Sequence, residues 1–258
     1  MNIIGIIPAR LASTRFPTKP LAKILGMPMI GHVALRSKMC RDLSEVYIAT
    51  CDREIAEYAG SIGIKAIMTA DTHERASDRT AEALLKVEKQ TGRKVDIVVM
   101  IQGDEPMVTP EMISAAVKPL IDNGEIKVSN LMATLNSREE HEDPNEVKVV
   151  VDKEGFAMYF SREPIPSWKK GAKDVPMLKQ VCIIPFERDF LLRYNEMEQT
   201  PLEKIESVDM NRILENGMKV KMVFVNETTY SVDTLEDLRN VEEAMRNDSL
   251  LKIYLGQR

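Results

Sequence analysis

With 258 residues, of which 44% are hydrophobic and 29% charged, the chain has the balance of a soluble globular protein, which excludes collagen-like, mucin-like, coiled-coil and disordered readings. Lys and Arg number 35 against 40 Asp and Glu, and the resulting net charge of −5 argues against a general affinity for nucleic acid or anionic membranes, so any basic site must be local. Cys40, Cys51 and Cys182 are an odd set without CxxC spacing, which indicates neither a disulfide framework nor a zinc site, and the short apolar stretch at 2–7 is neither a membrane span nor a signal peptide. The expected setting is the cytoplasm, with no membrane partner.

The first half alternates short, β-branched apolar runs with segments of helical spacing, the pattern of βα units on a parallel sheet. Strands are predicted at 2–7, 45–50, 64–68 and 95–101. Helical faces between them carry Ile30, Val33 and Ala34, then Ile55, Ala59 and Ile62, then Ala81, Leu84 and Leu85. Pro110 suits the first turn of a helix reaching Ile121, with Pro119 expected to kink or shorten it. Beyond about residue 124 the alternation stops: strands at 127–134, 146–152 and 156–161 follow one another without long helices, which predicts antiparallel pairs and hence a mixed sheet. Residues 162–178, with Pro164, Pro166, Gly171 and Pro176, read as an irregular loop long enough for a functional lid. Strands at 181–186 and 220–225 and helices at 201–216 and 235–246 complete the reading.

Three stretches carry candidate chemistry. Directly after the first strand, the loop 8–21 holds Arg10, Arg15 and Lys19 among small residues such as Ser13, at the position where open α/β sheets bind ligands. Small residues let backbone N–H groups approach phosphate oxygens while the cations neutralise a triphosphate; the alternative is a solvated loop with scattered cations. The loop is neither a Walker A sequence nor GxGxxG. After the apolar run 95–101 comes Gln102-Gly103-Asp104-Glu105-Pro106, where Asp104 at a strand's carboxyl end can hold Mg²⁺. In Ser231-Val232-Asp233-Thr234, Asp233 is either a second metal carboxylate or the cap of the helix that follows. Of the histidines, His32 reads as structural and His141, beside Glu139, Glu140, Glu142 and Asp143, as a solvated loop residue; Trp168 reads as a packing residue.

Taken in order, Pro-Ala-Arg-x3-Ser-Thr-Arg-x-Pro-x-Lys-Pro-Leu, Gln-Gly-Asp-Glu-Pro, Pro-Asn-x-Val-Lys at 144–148, Tyr-Phe-Ser-Arg-x-Pro-Ile-Pro at 159–166, Pro-Leu-Glu at 201–203 and Val-Asp-Thr-x-Glu-Asp-Leu at 232–238 resemble the 3-deoxy-manno-octulosonate cytidylyltransferase (CMP-Kdo synthetase) family from about residue 2 to residue 245. The resemblance implies a single nucleotidyltransferase domain over 1–258 with a Rossmann-like, mixed and mostly parallel sheet of the nucleotide-diphospho-sugar transferase type. Residues to about 124 would form the nucleotide-binding half, and the β-rich remainder the sugar-binding half and the interface of a homodimer. It implies transfer of CMP from CTP to the anomeric hydroxyl of an acidic 3-deoxy-2-ulosonic sugar, as in lipopolysaccharide biosynthesis, with release of pyrophosphate and Mg²⁺ as cofactor.

By motif position, Arg10 and Lys19 would bind the triphosphate with Ser13 and Arg15, Ser77 and Arg79 would read the cytosine, Gln102 would lie near the reacting centre, and Asp104 and Asp233 would hold the metal. Arg162 would face the sugar carboxylate, with Gln180, Ile184, Asp209 and Met210 around the sugar. Departures from the family pattern fall mainly at the sugar end: Gln180 stands for the usual His, Cys182 for Gly, Ile184 for an aromatic, Met210 for Gln, Asn211 for Leu and Ser231 for Gly, whereas Ala76 for Gly and Ser77 for Thr are milder. The expected sugar is therefore Kdo or a variant altered in a ring substituent. Two rivals stand beside this reading, a synthetase for a CMP-nonulosonate of the sialic type and a nucleotide-binding relative without turnover.

Overall fold

The computed structural model describes residues 1–12 and 16–256, and the chain divides into two compact units, Met1–Ser114 with Thr229–Arg258, and Ala115–Thr228. The first unit opens with β1 (Ile3–Ala9), of which only Pro8 is not buried. A short hairpin of β2 (Lys23–Ile24) and β3 (Met27–Pro28) leads into α1 (Met29–Lys38). Then come β4 (Glu45–Thr50), α2 (Arg53–Ser61), β5 (Lys65–Met68), α3 (Ala76–Thr91) and β6 (Ile97–Ile101). The four long strands lie in the order β6-β1-β4-β5, all parallel. Every residue of β6 is buried, as expected of a near-continuous apolar run in a parallel sheet. Ile6 is level with Met100 across β1 and β6. Counting equally along both strands from that pair reaches Arg10 on one and Asp104 on the other, so two of the three motif stretches leave the sheet at one edge.

The boundary between the units falls inside α4 (Pro110–Asp122), which continues through Pro119 and ends within a turn of it. The second unit contains β7 (Ser129–Thr134), α5 (Arg138–Glu142), β8 (Lys148–Val151), β9 (Ala157–Ser161), β10 (Leu178–Val181), β11 (Ile183–Glu187), α6 (Arg188–Glu196), α7 (Pro201–Glu206), α8 (Met210–Glu215) and β12 (Lys221–Phe224). Five of its strands lie in the order β12-β7-β10-β8-β9, with β12 parallel to β7 and the other neighbours antiparallel, so the sheet is mixed. Residues between β9 and β10 have no regular structure, as the proline content predicts. The single helix expected at 201–216 is two, because Ser207 adopts a left-handed φ of 53° between them. The expected strand 181–186 is the end of β10 and most of β11, separated at Cys182.

His141 requires a correction. It is fully buried in α5, with Nε2 2.9 Å from the Ile165 carbonyl and Nδ1 accepting the Trp168 indole N–H at 2.9 Å. Its neighbours Glu139, Glu140 and Glu142 are exposed whereas the imidazole is buried, so the acidic composition around it does not describe its own surroundings. His32 is structural as expected, buried between the Tyr254 hydroxyl at 2.7 Å and the Ile24 carbonyl at 2.9 Å.

After Thr229 the chain belongs to the first unit again, with α9 (Leu235–Met245) and α10 (Ser249–Leu255). Val232, Val241, Met245, Leu251 and Tyr254 close a core over Ile24, Met27 and Met29, and buried Arg36 pairs with Asp248. This return, which reading in chain order assigned to the other half, carries Asp233 to the first unit. Among the described residues, no helix is long and apolar enough to cross a membrane.

Candidate active site

Of the basic loop, residues 10–12 and 16–21 are described; Ser13 and Arg15 lie outside the described residues. The Leu11 N–H donates to Asp52 Oδ2 at 2.7 Å, and the Thr18 N–H donates back to the Leu11 carbonyl at 3.3 Å, so the loop is tied at its start and closed on itself. Thr18, at φ 58°, turns the chain into a 3-10 turn at Lys19–Leu21, and buried Pro20 anchors that turn. Lys19 is thereby aimed across the sheet edge. Its ammonium donates to Asp104 Oδ2 at 2.8 Å, Asp233 Oδ1 at 3.2 Å and the Val232 carbonyl at 2.7 Å. The Val232 N–H in turn donates to the Asp104 carbonyl at 3.0 Å, which fixes the two acidic segments side by side.

Burial alone would depress the Lys19 ammonium, but Asp104 and then Asp233 outweigh it and its pKa is raised. The charge is therefore permanent in the neutral range. Asp233 is not the helix cap: Thr234 caps α9 in a reciprocal box with Asp237, which leaves the Asp233 side chain free of that duty. Two carboxylates thus converge on one cation. Their side chains keep 24% and 23% exposure, so they can be reached from solvent. No group of three or more His, Cys, Asp or Glu side chains forms a metal cage among the described residues. A pair of carboxylates completed by water and substrate phosphates is the usual donor set for Mg²⁺, so the residues present fit that ion better than a cation needing a full protein cage.

Arg10 is exposed and donates to the His73 carbonyl at 3.2 Å, which ties the basic loop to the segment before α3. Glu82 organises that segment, accepting the Ala70 N–H at 2.9 Å together with His73 Nε2 and Lys86. Burial pushes Glu82 up, yet Lys86, the Ala70 amide and His73 hold it down at about 2. Ser77 is buried in the first turn of α3, and Arg79, two residues further on, is 2% exposed. Arg79 Nη1 donates to the Thr69 hydroxyl and the Ala70 carbonyl, whereas its Nη2 is a buried donor with no partner among the described residues. A buried guanidinium edge without an acceptor is costly unless a ligand supplies one. Gln102 is half-buried directly after β6, its carbonyl taking the Glu105 N–H at 3.3 Å.

The remaining candidates lie in the second unit. Arg162 donates from Nε to the Glu206 carbonyl and from Nη1 to the Pro144 carbonyl. Gln180 Nε2 donates to Asn130 Oδ1, and Asn130 in turn donates to the Val181 carbonyl at 2.6 Å. Asp209, at the start of α8, accepts the Tyr194 hydroxyl at its carbonyl, while Ile184 and Met210 are 2% and 0% exposed. The first unit thus brings Lys19, Asp104 and Asp233 into contact, whereas Ile184 and Met210 are core side chains of the second. Asp52 and Glu82 were missed by sequence reasoning. Asp52 carried a usable signal, a carboxylate two residues past a buried strand; Glu82, inside a helix, carried none.

A cytidylyltransferase family model matches residues 4–252. The chain is 40% identical over 255 residues to the 3-deoxy-manno-octulosonate cytidylyltransferase of Geobacter metallireducens, spanning 95% of this chain and 98% of that protein. It is 41% identical over 251 residues to the mitochondrial 3-deoxy-manno-octulosonate cytidylyltransferase of Arabidopsis thaliana, spanning 96% of this chain and 85% of that one. Among solved structures, it matches CMP:2-keto-3-deoxy-manno-octonic acid synthetase complexed with CTP at a TM-score of 0.87 and 35% identity, over 95% of this chain and 99% of that one. A cytidylyltransferase from Leptospira borgpetersenii, at 16% identity and a TM-score of 0.62 over 96% of this chain and 88% of that one, shares the fold alone. With its basic loop, its paired carboxylates and this full-length similarity, the chain belongs to the cytidylyltransferase family, among the 3-deoxy-manno-octulosonate cytidylyltransferases.

Proposed function

We propose that the protein transfers CMP from CTP to the anomeric hydroxyl of Kdo or a close 3-deoxy-2-ulosonic variant and releases pyrophosphate. The observation that carries this reading is the Lys19 ammonium held between Asp104 and Asp233 at the edge where β1 and β6 end. A protein that only bound nucleotide would need the cations but not both carboxylates.

In this mechanism Arg10 and Lys19 take the triphosphate, Arg10 by its planar fork and Lys19 as a point charge. The partnerless Nη2 of Arg79 suits an acceptor on the cytosine edge, and buried Ser77 restricts the space beside it. Arg162 would receive the sugar carboxylate. The anomeric oxygen then attacks the α-phosphorus in line, and the bond to the departing pyrophosphate breaks as the new P–O bond forms, so no covalent intermediate on the protein is involved. Mg²⁺, held by Asp104 and Asp233, would supply charge neutralisation at the phosphates and a lower pKa for the attacking hydroxyl. Lys19 and Arg10 share the load of negative charge, and positioning supplies most of the remaining catalysis.

Pyrophosphate release with CTP against a panel of ulosonic and nonulosonic acids tests the proposal. Turnover with Kdo or a Kdo variant, dependent on Mg²⁺, is expected. Turnover with a nonulosonic acid alone, or none with any sugar, would overturn it.

A further inference from the structure

Arg162 is gripped more completely than a surface arginine on an irregular loop has reason to be. Its backbone N–H donates to Glu206 Oε2 at 2.8 Å, its Nε to the Glu206 carbonyl at 2.7 Å and its Nη1 to the Pro144 carbonyl at 2.8 Å. Its own carbonyl accepts from Lys148 Nζ at 2.5 Å, and that fully buried ammonium also serves the carbonyls of Asp143 and Glu146, both at 2.7 Å. Only Nη2 makes no hydrogen bond among the described residues.

Glu206, the last residue of α7, is the centre of this arrangement. Besides Arg162, its carboxylate accepts the Tyr159 hydroxyl at 2.9 Å and the Ser161 hydroxyl at 2.8 Å. Burial pushes Glu206 up, but the Arg162 amide, Ser161 and Tyr159 outweigh it and hold the carboxyl below its usual range, while burial and Glu206 push Tyr159 to about 12. The carboxylate therefore stays an acceptor for three donors at neutral pH. Directly after it, Ser207 takes a left-handed φ of 53°, a conformation L-residues disfavour, and there α7 ends with the Glu206 carbonyl bonded to Arg162 Nε.

We infer that Glu206 is the positioning residue that orients Arg162: it holds the backbone N–H and Nε, the Pro144 carbonyl holds Nη1, and Nη2 is thereby presented in one fixed direction to an anionic substrate group. This rests on the reading of Arg162 as the receiver of the sugar carboxylate. Glu206 touches no substrate; it acts through Arg162. A guanidinium already immobilised loses little further freedom when a carboxylate arrives, which is how a preorganised site gains affinity.

The test is a cycle of Glu206→Gln, Arg162→Ala and the double variant, with steady-state kinetics for CTP and Kdo separately. In Glu206→Gln an amide donor faces the donors that the carboxylate accepted, so the KM for Kdo is expected to rise about tenfold, one step of the affinity scale, with the KM for CTP unchanged. In the Arg162→Ala background the same change should add nothing. Tyr159→Phe, which removes one of the three donors and nothing else, should raise the KM for Kdo by a smaller factor of about two to three in the same Arg162-dependent way, and it provides the measurement if Glu206→Gln does not fold. If Arg162→Ala raises the KM for Kdo but neither Glu206→Gln nor Tyr159→Phe does, or if their effects persist in the double variants, the inference fails while the sugar-site reading stands. If Arg162→Ala leaves the KM for Kdo unchanged, the reading of Arg162 fails and the inference falls with it.

Discussion

Replacing Lys19 with methionine keeps the bulk of the side chain and removes the charge, leaving Asp104 and Asp233 facing one another. Two unit charges about 4 Å apart interact by about 4 kcal/mol at an effective dielectric of about 20. The contacts here, at 2.8 and 3.2 Å, are shorter, and the three side chains keep only 16%, 24% and 23% exposure, so solvent screens them incompletely. Desolvation of the ammonium offsets part of the attraction, and the net loss on removing one partner of such a part-buried cluster is about 2–3 kcal/mol. For a chain of this size that corresponds to a melting temperature lower by roughly 5–10 °C. Because the folded-state pKa of Lys19 lies above the ordinary 10.5, this stabilisation is fully present below that value and fades only as the pH rises beyond it, so pH 7 is a suitable condition. The same geometry predicts a second effect. With the ammonium gone, Mg²⁺ alone should restore stability in the variant, by about 2.7 kcal/mol at a hundred times its Kd, while the native protein, already neutralised from within, gains less. Differential scanning calorimetry without nucleotide, across a Mg²⁺ series, measures both. A variant as stable as the native protein, or equal Mg²⁺ responses in the two, would refute the idea that Lys19 neutralises the carboxylate pair.

Asp104→Asn and Asp233→Asn should each lower kcat at least about a hundredfold, roughly 3 kcal/mol of barrier, with the fold intact by circular dichroism; near-normal turnover of Asp233→Asn would remove it from the metal site. Arg10→Ala should weaken CTP in a calorimetric titration far more than it weakens the sugar, and unchanged CTP affinity would mean that the loop's cations serve something else. Glu82, held at about 2, contributes stability that is present above about pH 4.5 and is lost as the pH falls toward 2. In urea titrations Glu82→Gln should therefore trail the native protein at pH 7 and converge on it near pH 2; a constant gap would sink this assignment. Gln180, whose amide is engaged by Asn130, leaves its carbonyl as an acceptor, so a Kdo variant with an amine in place of a ring hydroxyl should show a higher kcat/KM than Kdo. A clear preference for plain Kdo would refute that expectation without touching the cytidylyltransferase assignment.

The first unit was the more legible part, and its burial explains why. β1, β4 and β6 are almost wholly buried, so their apolar runs stand out whatever surrounds them, and a carboxylate just past such a run, as in Asp104, announces the ligand edge. Asp233 was ambiguous because its partner Lys19 is 214 residues away, and the local pattern fits a helix cap equally well; the ambiguity ends only when Thr234 is seen to hold that place. His141 was misjudged for the same reason, since its partners Ile165 and Trp168 belong to a loop with no pattern of its own. Glu206 gave no signal at all: its three donors come from another strand and the residue after it. The break in 201–216 was hidden because a serine, not a glycine, takes the left-handed conformation.

The return of residues beyond 229 to the first unit has a consequence for how the protein is made. Lys19 is polymerised 214 residues before Asp233, which at about 5–20 residues per second is about 10–40 s on the ribosome. Even after Asp104 has been added, the growing chain lacks Asp233 and the Val232 N–H that binds the Asp104 carbonyl, and Ile24, Met27 and Met29 lack the covering side chains of α9 and α10. Such an intermediate exposes apolar surface that the finished chain buries. A chain cut short before residue 233 therefore leaves Ile24, Met27 and Met29 without the apolar cover that α9 and α10 supply and Lys19 without its second carboxylate.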